Sequence, residues 1–424
     1  MSERPPRIVK GRLQRLGKLA SMATGLGTGL LFRKSKSQTA LKIFETLGEL
    51  KGVAMKAGQS LALYADQLPP EMQSVFKRFF SQAPMLPYVD IARVIESELG
   101  DSPSKIFESV EETPTAAASL GQVHRGRLKT GEQVAIKVQY PDIGEALEND
   151  LRNAHVVVKA LSLGGSVLDT REYFEEIKRE LIVELDYRIE LQRLESFRAY
   201  LKRWPDLKVP KAYPQFSTGK VLVLEWIEGP TLTEYAEGAA MLPAAERFAV
   251  AERLIRAIFG PFIFHRAIHA DTHPGNYIVC PDGKLAVLDY GSVKHLSEPF
   301  WSCEIEALSC QLEQRPFDPV ALIRKGGFTV DLPDLKARQL LDEVIKLVSQ
   351  PLSGFYDFSE DSLIPKMQDL QRRNALDFLK IRPPPEALLF YRAVGGLYQN
   401  LRSLKAAGDF QTFFRNALIE INSK

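Results

Sequence analysis

The stretch His269-Ala-Asp-Thr-His-Pro-Gly-Asn276, followed by Leu288-Asp-Tyr-Gly291, decides the reading of this chain. An Asp and, five residues on, an Asn stand ahead of an Asp-aromatic-Gly that closes an apolar run. Phosphoryl transfer needs a carboxylate beside the nucleophile and oxygen ligands that hold Mg²⁺ on nucleotide phosphates. Asp271 suits the first role, and Asn276 with Asp289 the second. Between them, Tyr277-Ile-Val-Cys280, Pro281-Asp-Gly-Lys284 and Leu285-Ala-Val-Leu288 predict two short strands around a turn. A competing reading takes His265, His269 and His273, which recur every four residues, as a helical metal face. Pro274-Gly275 argues against it, because a helix ends before the third histidine is placed.

That layout is the one a kinase uses for its catalytic and metal-binding loops, and it requires partners upstream. Val123-His-Arg-Gly-Arg-Leu128, the turn Lys129-Thr-Gly131 and the strand Val134-Ala-Ile-Lys-Val138 supply a strand–turn–strand with a lysine inside it. Lys137 is expected to face the α and β phosphates; the plainer reading is an edge-strand lysine kept for solubility. A glycine-rich phosphate loop aligned on Gly121 and Val123 would have glycines at 116 and 118. Here Ala116, Ala117, Ala118 and Ser119 occupy that place. Alanine disfavours positive φ, so a stiffer loop and an altered nucleotide preference are expected.

Residues 142–203 read as a long helical region containing Glu180, Glu184, Asp186 and Glu190. Glu190 is the choice for the carboxylate that orients Lys137, with Glu184 and Glu180 as alternatives. Val209–Pro214 and Lys220–Gly229 read as strands. The backbone from Glu225 to Ile227 is placed to meet adenine, or else this is a plain buried strand ending in a glycine turn. Ala244–His265 and most of 297–424 read as helical. No Ala-Pro-Glu follows Gly291, and Ala270 stands where His-Arg-Asp kinases carry arginine. A platform for a peptide substrate is therefore not expected.

Composition sets the outer bounds. At 424 residues, with 45% hydrophobic and 25% charged residues, the chain can bury a full core in two or three subdomains. A net charge of +2 gives no ground for a nucleic-acid partner. The three cysteines form no paired framework and fit a reducing compartment. No apolar run reaches the ~18–20 residues that cross a bilayer. The first 40 residues hold nine Lys/Arg against one acid, Glu3. They read as a basic arm in solvent, as a segment touching anionic lipid, or as a mitochondrial targeting segment. Residues 38–82 look helical and amphipathic, with Lys56-Ala-Gly-Gln59 inside them.

Taken together these motifs resemble the UbiB/AarF family of atypical kinase-like proteins, over about residues 40–400. The likeness rests on Lys56-x-Gly-Gln59, Ala116–Ser119, Val134-Ala-Ile-Lys137, Glu184-x-Asp186, His269-Ala-Asp271 through Asn276, and Asp289-Tyr-Gly291. The resemblance implies that Lys56 and Gln59 lie over the place of a protein substrate, near Glu184 and Asp186. It implies Mg-nucleotide binding, with ATPase activity more firmly than protein phosphorylation, and a link to membranes and ubiquinone or other prenyl lipids. Tyr290 replaces the usual Phe of the metal loop.

The expected fold is α+β: a two-lobed protein-kinase-like structure with an N-terminal helical extension. The expected boundaries are a basic arm at 1–40, the extension at 41–110, the small lobe at 111–229 and the large lobe at 230–424. The expected cofactors are ATP or ADP and Mg²⁺. Expected partners are anionic membrane lipid and quinone-biosynthesis enzymes, with a location in the cytoplasm, peripheral to the inner membrane, or in mitochondria.

Overall fold

A computed structural model describes residues 85–118, 120–145, 147–148, 178–179 and 182–423. The basic arm, Lys56, Gln59, Ser119 and Glu180 lie outside them. In chain order the elements begin with α1 (Tyr88–Leu99), α2 (Pro103–Ile106), β1 (Phe107–Val110), β2 (Ala116–Ala118), β3 (Gly121–Leu128) and β4 (Gln133–Gln139). Next come α3 (Tyr187–Leu201), β5 (Leu207–Lys208), β6 (Val221–Glu225), α4 (Leu232–Glu237), α5 (Ala244–His265), β7 (Ala267–His269), β8 (Tyr277–Val279), β9 (Leu285–Val287) and β10 (Val293–His295). A helical region follows: α6 (Glu298–Leu312), α7 (Pro319–Lys325), β11 (Thr329–Val330), α8 (Asp334–Val348), β12 (Phe355–Asp357), α9 (Leu363–Arg373) and α10 (Ala375–Phe378). The chain closes with β13 (Ile381–Arg382), α11 (Pro385–Ser403), β14 (Ala407–Asp409) and α12 (Gln411–Asn422).

The described residues form two compact units, one made of those up to Tyr187 with Tyr213–Val223, the other of Arg188–Ala212 with those from Leu224 onward. The first is built on an antiparallel sheet in the order β1-β3-β4-β6, with β2 folded back on β3. Ile91 and Ile95, four apart on α1, are fully buried against Phe107, Val134, Ile136, Val138 and Val221. Each such side chain contributes about 1.5–3 kcal/mol. A buried polar ladder stitches this sheet to the segment before α1. Gln122 accepts from the Leu86 amide at 2.9 Å and donates to His124 Nε2 at 2.9 Å. His124 Nδ1 donates to the Glu111 carbonyl at 2.8 Å.

The second unit holds the three-stranded sheet β5-β9-β8 and the pair β7-β10. Helix α5 is its axis, burying Val250, Leu254, Ile258 and Phe262 among other residues. Aromatic rings of α11 and α12 close on it: Phe390 lies 4.9 Å from Phe262, and Phe414 5.0 Å from Phe259.

Three details differ from the sequence reading. The helix expected across 142–203 breaks at Glu184-Leu185, which form a turn, before α3 starts at Tyr187. Val209–Pro214 is not a strand; Pro210 and Pro214 have no amide to give, and only Ala212 bridges to Leu224. The sequence reading drew one boundary after Gly229, whereas residues 188–212 group with the second unit. The reason is packing: Phe197 of α3 sits 5.4 Å from Tyr290 and 6.0 Å from His269.

Candidate functional site

In the first unit the alanine segment is a strand, β2, paired antiparallel with β3. The register sets Ala116 opposite Val123, and Val123 opposite Lys137. Directly opposed residues project to the same face, so Ala116, Val123 and Lys137 form a row across three strands. Gly121 lets β3 approach β4 closely. A Cβ there would stand 2.0 Å from the Val138 carbonyl oxygen.

Lys137 is half-buried and lies on β4, which has β3 on one side and β6 on the other. A lysine kept at a sheet edge for solubility is thereby excluded. Its ammonium sits 5.1 Å from the centre of the Tyr187 ring. Glu184 is buried, and its carbonyl accepts from Gln139, two residues beyond Lys137 on the same strand, at 3.3 Å. Asp186 is half-buried in the segment that leads to Tyr187.

In the second unit, β7 delivers the catalytic-type loop and β8–β9 forms the hairpin that the spacing predicts. The Leu288 amide donates to the Asn276 carbonyl at 2.9 Å, which extends the hairpin by one pair. Asn276 and Asp289 are thus brought to the same end of it. The Asn276 side-chain amide donates to the Asp271 carbonyl at 3.5 Å. Asp289 Oδ1 accepts from the Gly291 amide at 2.7 Å, which shapes the Asp-Tyr-Gly turn.

Helix α3 holds that turn from behind. Glu190, 5% exposed, accepts from the Tyr290 amide at 3.5 Å, and Arg193 donates to the Gly291 carbonyl at 2.6 Å. Tyr290 and Tyr277 are fully buried with hydroxyls that have no hydrogen-bond partner among the described residues. Burial drives both phenols well above their ordinary pKa, and for Tyr277 the nearby Asp271 adds to it.

The histidines do not make a metal face. His265 stacks on Tyr200 at 4.1 Å, and His269 is buried with Nε2 donating to the Asp289 carbonyl. His273 Nδ1 accepts from the Gly275 amide at 3.1 Å. Among the described residues no cluster of three or more His, Cys, Asp or Glu is placed to hold a metal ion.

Sequence reasoning missed the helix that seats the loop. On α11, Asn400 donates to the Thr272 carbonyl at 2.9 Å, and Arg392 approaches Asp271 Oδ1 at 3.6 Å. A Cβ on Gly396 would fall 1.8 Å from Thr272 Oγ1. The available signal was Gly395-Gly396 in mid-helix, since glycine there costs about 1 kcal/mol and calls for a packing reason. At the other end of the site, the Glu225 amide is used by the Lys211 carbonyl at 2.7 Å, and its carboxylate binds Lys208 at 2.7 Å. Ile227 is buried against Ile278, Cys280 and Ala286.

The donor set fits Mg²⁺. One carboxylate and one amide offer hard oxygen ligands, and Mg²⁺ commonly takes one or two protein groups plus phosphate and water. Asn276 and Asp289 would hold the ion, and bound Mg-nucleotide would supply the phosphoryl group.

A two-unit α+β structure with these loops defines an atypical kinase-like protein. The ABC1 atypical kinase-like domain matches residues 78–309, and the chain belongs to that family, which includes the AarF and UbiB proteins. The rat mitochondrial atypical kinase COQ8B is 28% identical over 422 residues, covering 93% of this chain and 78% of that protein. AarF domain-containing kinase 1 of Drosophila melanogaster is 35% identical over 266 residues, 62% of this chain and about half (51%) of its own length. Among solved structures, the complex of Rv3197 with erythromycin from Mycobacterium tuberculosis superposes with a TM-score of 0.65 at 26% identity. It covers 90% of this chain and 96% of that one.

Proposed function

We propose that the protein binds Mg-ATP and hydrolyses it slowly, in support of isoprenoid-quinone biosynthesis or lipid handling at a membrane. The observation that carries this reading is the hairpin end that brings Asn276 and Asp289 together beside the Asp271 loop. Asp289 and Asn276 would hold Mg²⁺ on the phosphates, and Asp271 would orient water or a hydroxyl. Lys137 would serve the α and β phosphates, with Glu190 as its acidic partner, and Ala116–Ser119 would shape the phosphate pocket. Because the Glu225 amide is engaged, a base would meet the Glu225 carbonyl and the Ile227 amide. Lys56 and Gln59 would lie over the place of a protein substrate, near Glu184 and Asp186, and would regulate access to the site.

A second reading, a small-molecule or lipid kinase, is favoured by one feature of the fold. After Gly291 the chain enters β10 and then α6, whose cap Ser297 is fixed by Glu386. That leaves no extended segment on which a peptide would lie. A purely scaffolding role fits less well, since every residue type that the chemistry requires is present.

No helix among the described residues is long and apolar enough to cross a membrane. The proposed membrane link therefore rests on the basic first 40 residues and anionic lipid, and a mitochondrial setting on relatives with that name. The test is phosphate release from Mg-ATP, with and without anionic liposomes carrying a quinone-precursor mimic, beside Asp289→Asn. Release that rises with liposomes and vanishes in the variant supports a membrane-coupled ATPase. Nucleotide binding without release under any condition favours a scaffold or a kinase still lacking its acceptor, and a phosphorylated lipid product favours the kinase.

A further inference from the structure

Helix α11 carries Arg392, Gly396 and Asn400 at successive four-residue intervals, so they share one face. All three meet the same short loop. Asn400 holds the Thr272 carbonyl, Gly396 leaves room for the Thr272 side chain, and Arg392 reaches the Asp271 carboxylate. The Arg392 side chain is only 13% exposed and that of Asp271 20%. A guanidinium does not lose its charge on burial. A buried charge persists only where an opposite charge and hydrogen bonds answer it. The His273 amide also donates to Asp271 Oδ1, at 3.3 Å, so a hydrogen-bond donor and the guanidinium charge converge on one oxygen and set the rotation of the carboxylate. Meanwhile Ala270 provides no arginine from the loop itself.

We propose that Arg392 is a positioning residue for Asp271, delivered by the α11 face that also anchors Thr272 through Gly396 and Asn400. This rests on the reading of Asp271 as the carboxylate beside the nucleophile. The competing role is plain packing, in which the aliphatic stem of Arg392 covers apolar surface and its charge is incidental.

Two measurements on the full chain separate these. The first is a melting cycle of wild type, Arg392→Met, Asp271→Asn and the double variant. Pairing makes Arg392→Met lower the melting temperature by a few degrees in the wild-type background and by less than half as much once Asp271 is Asn. Equal shifts in both backgrounds overturn the pairing. The second is Mg-ATP turnover. Positioning lowers kcat in Arg392→Met by at least about tenfold and leaves the KM for ATP within about twofold, with part of kcat recovered in Arg392→Lys. Wild-type kcat in Arg392→Met, or a lysine variant no better than methionine, overturns the proposal. If the wild-type protein shows no turnover, alone or with lipid acceptor, the reading of Asp271 fails, and the melting cycle still decides whether the two side chains are paired.

Discussion

The alanine hairpin of the first unit and the Asp271 loop of the second are held by opposite means. The hairpin is fixed by backbone register: Ala116, Ala117 and Ala118 pair in order with Val123, Gln122 and Gly121, and β3 pairs along its length with β4. Its side chains contribute little, since Ala116 and Ala117 are exposed. The Asp271 loop has almost no ladder of its own. It is held by side chains of α11, a helix far along the chain, and by the hairpin that follows it. A segment held by main-chain register resists changes of side chain and fails when the backbone is pushed. A segment held by distant side chains fails one contact at a time, and its failure shows in chemistry before stability.

Changing one atom in each region tests the contrast. The largest loss is expected from Gly121→Ala, where the new Cβ meets a carbonyl oxygen that cannot turn aside. The sheet must part, and chemical denaturation should show about 3 kcal/mol of lost stability. An unfolding midpoint close to wild type would mean that the β3–β4 register, on which β2 is built, is not what holds this sheet. Gly396→Ala comes next. Alanine favours the helix by about 1 kcal/mol, which offsets much of the contact with Thr272, so the melting temperature should move little. Turnover should fall by about 100-fold, the cost of displacing a loop by an ångström. A large loss of stability with normal turnover would reverse the contrast.

Smaller effects follow from the buried polar groups. The Tyr290 hydroxyl is fully buried without a partner among the described residues, so Tyr290→Phe should stabilise the protein by about 1 kcal/mol and leave Mg-nucleotide affinity unchanged. Weakened affinity in that variant would show that the hydroxyl serves the metal loop. In the first unit, burial lowers the pKa of His124, and its bond to the Glu111 carbonyl only partly opposes this. The unfolded chain then takes up the proton first, so stability is full above a pH of about 6.5 and declines below it. Denaturation midpoints from pH 7.5 to 5 should show this decline, and His124→Gln should flatten it.

The contrast also explains what the sequence could reveal. Spacing exposed every part whose neighbours are close along the chain. The Asp271–Asn276 loop, the hairpin to Asp289 and the strand bearing Lys137 all stand where the pattern predicts. Glu190 stands on helix α3, where the spacing places a helix-borne carboxylate, but its engagement with the Tyr290 amide has no signal in the sequence. The break at Glu184-Leu185 has no signal in the sequence because leucine and glutamate favour helix on propensity alone. Arg392 and Asn400 were invisible for a different reason. Neither belongs to a local motif, and only the fold brings α11 to Thr272.

The central claim is that Asn276 and Asp289 form the metal end of a nucleotide site. Calorimetric titration of ATP into the full chain, with Mg²⁺ and with EDTA, tests it most directly beside Asp289→Asn. Binding that requires Mg²⁺ in the wild type and is lost in the variant is the expected result. Binding of equal strength in all three cases would contradict the assignment and place the nucleotide, if it binds, away from this hairpin.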